Sequence, residues 1–168
     1  MGSKRVGLAR TEALIENLKR ELTMGGTTKF AGVALSNKAA AASSTTTLTN
    51  ADSGKIILMA PNAAAIVLPT PVKGMNFKII QVAPYSTAVC TIKTVTTDGS
   101  VFFVGGYASG DSSDGNISDN NSNDVITFGS ATVAGDYVEL IALSTSLWHV
   151  TGFAQSGHSS NGIAFSDS

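Results

Sequence analysis

Lys55-Ile56-Ile57-Leu58-Met59-Ala60, a turn at Pro61-Asn62, then Ala64-Ala65-Ile66-Val67-Leu68 and Pro69-Thr70-Pro71 decide the fold of this chain. Two short apolar runs rich in branched side chains, each ended by proline, read as strands, the first of them buried. Pro69 and Pro71 lack an N–H for a ladder and close the second strand. After a turn at Lys73-Gly74, Met75 to Val82 reads as a longer strand with Phe77, Ile79 and Gln81 on one side. Ala88 to Val95 alternates again, and Asp98-Gly99 is a hairpin signal leading into Val101-Phe102-Phe103-Val104. Val125–Phe128, Asp136–Leu143, Leu147–Phe153 and Gly162–Phe165 bring the expectation to about nine or ten strands. Short strands at roughly ten-residue spacing predict an all-β antiparallel sandwich or jelly-roll-like barrel.

Upstream the pattern changes twice. Ala39 to Thr47 is a low-complexity Ala/Ser/Thr run that supplies no core by itself, and it reads as an arm entering a first strand at Thr46–Thr49. Further upstream, Leu8, Thr11, Ile15, Leu18 and Leu22 follow the three-four spacing of a coiled-coil seam, predicting an amphipathic α-helix from Ala9 to Thr23. Glu16 and Arg20 form an i,i+4 pair that adds roughly 0.3 kcal/mol. Gly25-Gly26 stops the helix. Two heptads are too short to stand alone in water, so this helix requires a partner. The expected organisation is a helical anchor (1–26), an arm (27–50) and a β-body (51–168).

Charge follows the same division. All eleven Lys and Arg residues lie at or before Lys93, among four acidic ones, a balance of about +7. The remaining eight acidic residues lie at or beyond Asp98, giving about −8. Such asymmetry points to partner surfaces at the two ends more than to chemistry in a cleft. A hydrophobic content of 43% with 14% charge excludes a disordered chain. Apolar stretches reach about six residues, against about 20 for a membrane-spanning helix, so no membrane partner is expected. Arg10, Glu12 and Glu16 interrupt any secretory core, and the chain reads as made in a cytoplasm and placed by assembly.

Reactive side chains are few. His149 sits in a strand beside Trp148 and His158 in a Ser/Gly loop, and neither belongs to a metal-ligand spacing. Cys90, the one cysteine, lies in an alternating run and reads as a buried strand residue. Asp111 to Asn121 places oxygen ligands at short intervals, yet lacks both the spacing and the closing Glu of a calcium loop. Gly105-Gly106 has no Lys-Ser/Thr and no following helix to hold phosphate. The basic residues near the N-terminus are interleaved with Glu12, Glu16 and Glu21 and lack aromatics for base stacking, which favours an acidic protein surface over nucleic acid. The residues therefore predict no catalytic, cofactor or metal site, and the reading is a structural module that is not an enzyme.

Two stretches carry a resemblance. Asp52-Ser53-Gly54-Lys55-Ile56-Ile57-Leu58 with Ala65 to Pro71 and Gly74 to Ile79 is one, and Gly135-Asp136-Tyr137-Val138-Glu139-Leu140 with Trp148-His149-Val150-Thr151-Gly152 is the other. Over about Asp52 to Phe153 they resemble the surface β-modules of tailed-bacteriophage virion proteins, found in capsid decoration proteins, head fibres and tail fibres. The resemblance implies a decoration (cement) protein on the outer surface of the virion, a homotrimer bound to the major capsid protein. In that setting Leu8, Ile15, Leu18 and Leu22 would anchor the chain, while Lys4, Arg5, Arg10, Lys19 and Arg20 would steer it. The alternative it implies is a trimeric head- or tail-fibre module that contacts a host surface through the 105–124 loop. A non-viral carbohydrate-binding module is a third expectation, with Tyr85, Tyr107, Tyr137 and Trp148 available for stacking, although Tyr137 and Trp148 read as core.

Overall fold

A computed structural model describes residues 37–40, 44–60, 65–85, 89–96, 98–110, 122–155 and 162–167. The expected helix and the nine anchoring and steering residues from Lys4 to Leu22 lie outside the described residues, as does the 111–121 segment. Twelve strands are present among the described residues: β1 Asn37–Ala40, β2 Thr45–Thr47, β3 Ile56–Met59, β4 Ala65–Val67, β5 Asn76–Gln81 and β6 Cys90–Lys93, then β7 Phe102–Gly105, β8 Ala108–Ser109, β9 Val125–Phe128, β10 Tyr137–Ala142, β11 Leu147–Ala154 and β12 Ile163–Ser166.

They form two sheets. The larger runs β1-β3-β5-β10-β11-β7, with β8 also on β11, and the smaller runs β12-β9-β6-β4-β2. The all-β expectation holds, with strand positions close to those read from the pattern. The antiparallel expectation does not, because six of the ten pairings among the described residues are parallel. The reason lies in what a turn can do. Proline and glycine signals mark where the chain reverses, but a reversed strand can either hydrogen-bond to its predecessor or face it across the core. From β1 to β7 the chain takes the second route at every step, alternating between the sheets. Successive neighbours within a sheet are then two strands apart in sequence and run parallel, as β1, β3 and β5 do, and likewise β2, β4 and β6. The opposite sheet provides the crossover that parallel pairing requires.

Two local expectations change with it. Asp98-Gly99 does turn the chain, with Gly99 at φ 71°, but it links β6 in one sheet to β7 in the other and makes no hairpin. The Ala/Ser/Thr run is not only an arm: β1 and β2 add one strand to each sheet. Between described strands, β10 to β11 is the tight hairpin, closed by the Leu143 N–H donating to the Leu147 carbonyl at 2.9 Å.

The core lies between the sheets. Ile57, Met59, Phe77, Ile79, Val138, Leu140, Trp148 and Val150 from the larger sheet meet Ile66, Cys90, Ile92, Ile126, Phe128 and Ile163 from the smaller. Gln81 is buried as its alternation predicted, its amide nitrogen donating to the Ala83 carbonyl at 2.9 Å. Burying apolar area at about 25 cal/mol per Å² is the main driving force for this arrangement.

Near the start of β3, Asp52 ties three segments together. Its carboxylate accepts from Lys38 Nζ at 2.6 Å, Lys55 Nζ at 2.7 Å, and the Thr49 N–H at 2.9 Å. Burial pushes this carboxyl upward, but the two ammonium groups and the Thr49 donors outweigh it and hold Asp52 well below the usual carboxylate range. A depressed native pKa means that the unfolded chain takes up the proton first as pH falls. The stabilisation is therefore complete above about pH 4 and is lost progressively below it. We expect Asp52→Asn to cost about 2 kcal/mol at pH 7. Urea unfolding at pH 6 and pH 2.5 checks this, since the variant should also lose part of the acid sensitivity of the wild type.

Candidate interaction surface

In a solvated two-layer sandwich, the outward positions of each strand are expected to be polar. The smaller sheet follows this rule in part: its outer face carries Thr45, Thr47, Thr91, Thr127, Lys93 and Ser166 beside Ala65, Val67, Val125 and Ala164, with Val89 and Val95 exposed at the two ends of β6. The larger sheet departs from it with bulkier side chains. The burial alternation turns Ile57, Met59, Phe77, Ile79, Val138 and Leu140 inward, so Ile56, Leu58, Ile80, Val82, Tyr137, Ile141 and Phe153 point away from the core. Cross-strand pairing aligns Leu58, Ile80, Tyr137 and Phe153 in one row across four strands. Val82, Ile141, Leu143 and Phe153 on this face remain 47, 45, 45 and 38% exposed.

The rows beside this one are largely polar: Lys78, Glu139 and the exposed Thr151 lie abreast of Ile56, and Asn76 and His149 flank Ile141. Lys78 and Glu139 are cross-strand partners, and Lys78 Nζ donates to Glu139 Oε1 at 2.7 Å. The same ammonium stands 4.2 Å from the centre of the Tyr137 ring, a cation–π contact. Both side chains of the pair are more than a third exposed, so it adds only a fraction of a kcal/mol, on the order of 0.5. Its effect is to keep the middle of the face neutral while leaving it polar.

The pair itself helps to line an open hollow of about 740 Å³, together with Gly54, Lys55, Ile56, Gly74, Asn76, Phe77, Ile80, Leu140 and Ile141. Gly54 and Gly74 sit at φ 81° and 87°, a backbone region costly for residues with a Cβ, and open space surrounds both. Neither glycine puts a side chain at the edge of the hollow.

His149 lies on this face, paired with Ile141 and Val104, away from any cluster of ligating groups. Among the described residues, no three His, Cys, Asp or Glu side chains converge as metal ligands would. Cys90 is buried, and burial alone pushes its thiol up to about 12. Of the residues offered for sugar stacking, Trp148 is core as expected, and Tyr107 is buried in the core as well and so is not available. Tyr137 is not core: it stands half-buried on the outer face, because its strand begins with an outward position.

The sequence reading missed this face, although a signal was present. Ile56-Ile57-Leu58-Met59 is apolar without alternation, the mark of a strand covered on both sides. In a two-layer fold one of those sides needs a cover from elsewhere. The apolar row of this surface is suited to desolvation against another apolar surface. The fold and face together define a mixed two-sheet β-sandwich whose larger sheet carries a row of large apolar residues on its outer side. Comparison with protein-family models, curated proteins and solved structures finds no significant match to this chain.

Proposed function

We propose that the protein is a structural assembly module, and specifically a decoration (cement) protein that binds and stabilises an assembled phage capsid. The observation that carries the assembly reading is the row of large apolar side chains, Leu58, Ile80, Tyr137 and Phe153, on the outer side of the larger sheet. Monomeric proteins seldom leave a contiguous apolar patch of several hundred Å² in water, and such patches mark contact surfaces. The charge of the leading segment supports the same reading, since residues 1–34 carry six Lys or Arg against three Glu and are suited to approach an acidic shell. Binding only the assembled shell would stabilise it by mass action, growing with affinity and occupancy. The jelly-roll-like form, self-association of the chain, and attachment to the major capsid protein through Leu8, Ile15, Leu18 and Leu22 with Lys4, Arg5, Arg10, Lys19 and Arg20 belong to this proposal.

Co-sedimentation with purified shells tests it. The full chain is expected to pellet with shells in hundreds of copies per particle and to raise their disruption temperature. A chain lacking residues 1–24 is expected to keep the circular dichroism of the body and to lose at least about tenfold in binding. Undiminished shell binding by that truncation, or no binding by the full chain, rejects the reading.

A further inference from the structure

We propose that the outer face of the larger sheet is the contact between two copies of this chain, packed face to face about a two-fold axis near Lys78 and Glu139. The inference rests on the reading of this face as an assembly surface and names its occupant.

Three observations favour a second copy. The first is charge. An isologous contact presents the same patch from both sides, so its charges must balance internally. Here Lys78 and Glu139 sit side by side near the middle of the face, 2.7 Å apart. A two-fold axis beside them sets the cation of one copy against the anion of the other. A shell surface of uniform sign would gain nothing from such a neutral centre.

The second is shape. The hollow runs along β5 from Asn76 past Lys78 to Ile80, with Gly54, Gly74, Glu139 and Ile141 also in its lining. Val82 and Phe153, both well exposed, lie on the same face beyond Ile80 and beside Tyr137. Half a turn about the centre sets these exposed side chains of one copy over the Asn76 end of the other copy's hollow.

The third is area. Six strands at about 4.8 Å spacing span about 24 Å, and the central strands are about 20 Å long, giving on the order of 500 Å² in projection per copy. Two copies together reach the roughly 1,000 Å² that separates specific interfaces from incidental ones. Sheets packed in this way stand about 10 Å apart, a distance that Ile80, Ile141 and Phe153 can fill from both sides.

Sedimentation equilibrium of the full chain, without shells, tests the proposal. The wild type is expected at about twice its 17.1 kDa mass in the micromolar range. Ile141→Glu and Phe153→Glu each bury a charge in the contact, and each is expected to weaken association at least about a hundredfold. Val95→Glu, on the outer side of the smaller sheet, is expected to leave the mass unchanged. Circular dichroism and urea midpoints, read at protein concentrations where all variants are monomeric, show that the substituted chains fold. A monomeric wild type overturns the proposal. So does an odd-numbered oligomer, or a dimer indifferent to Ile141→Glu and Phe153→Glu. A wild-type monomer whose face variants fail to bind shells assigns the surface to the shell instead. A dimer that ignores shells leaves the pairing intact and removes the decoration reading.

Discussion

Replacing Trp148 with alanine is expected to cost about 3–5 kcal/mol, a large part of the roughly 5–15 kcal/mol available to a domain of this kind. Trp148 is fully buried in β11, pairs with Phe103 and Ala142 across its two ladders, and packs on Phe77 with ring centroids 5.8 Å apart. Removing the indole opens a cavity that β-sheet backbone on both sides cannot close. The thermal midpoint should fall by about 10 °C or more. Trp148→Phe should be much milder. The indole Nε1 is buried without a hydrogen-bond acceptor, which carries a penalty of about 1–3 kcal/mol that phenylalanine removes. The lost volume offsets part of that relief, leaving a net cost of about 1–2 kcal/mol. Since this is the chain's one tryptophan, unfolding must be followed by circular dichroism instead of indole fluorescence. Equal costs for the two substitutions would show that packing around the ring, and not its bulk, is what the core depends on.

The second large effect concerns Cys90. Its thiol is buried between the sheets, and burial raises its pKa from 9.0 to about 12. At pH 8 the native chain therefore presents about a thousandfold less thiolate than the unfolded chain, and thiolate is the reacting form. Alkylation by iodoacetamide is expected to be slower by that factor or more in native buffer than in urea, because the reagent must also reach a closed interior. The sign of the pH effect follows from the same shift. The unfolded thiol ionises first as pH rises, so this residue weakens the fold progressively above about pH 9. Mass spectrometry after timed alkylation checks the rate. Rapid native labelling would mean that β6 opens locally, independently of global unfolding.

How far the fold could be read from sequence depends on which force governs each feature. Strand positions were legible because alternation at period two reports burial directly, as in Phe77, Ile79 and Gln81 or Val138 and Leu140. Pairing was not. Pro61-Asn62 and Asp98-Gly99 record a reversal of direction, but both a hairpin and a crossing to the other sheet satisfy them equally well. What chooses between the two is the summed contact of strands far apart in sequence, such as Glu139 on Lys78, which no local pattern encodes. Ala39 and Ala40 illustrate the same limit, since an alanine run has no strand preference of its own and β1 exists because β3 offers it a ladder. The interaction surface was half legible. Ile56 to Met59 asked for cover on both sides, but only the register that sets Leu58, Ile80, Tyr137 and Phe153 abreast turned separate apolar residues into one surface. The anchoring residues read from the leading helix, Lys4 to Leu22, fall outside the described residues, and their test is the truncation proposed above.

The back-and-forth path of β1 to β6 has a bearing on how such a chain can change in length. One complete circuit, a strand in each layer plus two bends, occupies about twenty residues here, as the distance from Asn37 to Ile56 indicates. Duplicating a circuit would broaden both layers by one strand, about 4.8 Å, while every existing ladder kept its partners and its orientation. Inserting a single strand would instead invert the facing of everything downstream. Descent by gain or loss of whole circuits is thus the tolerated route, and related chains should differ in breadth by multiples of that unit.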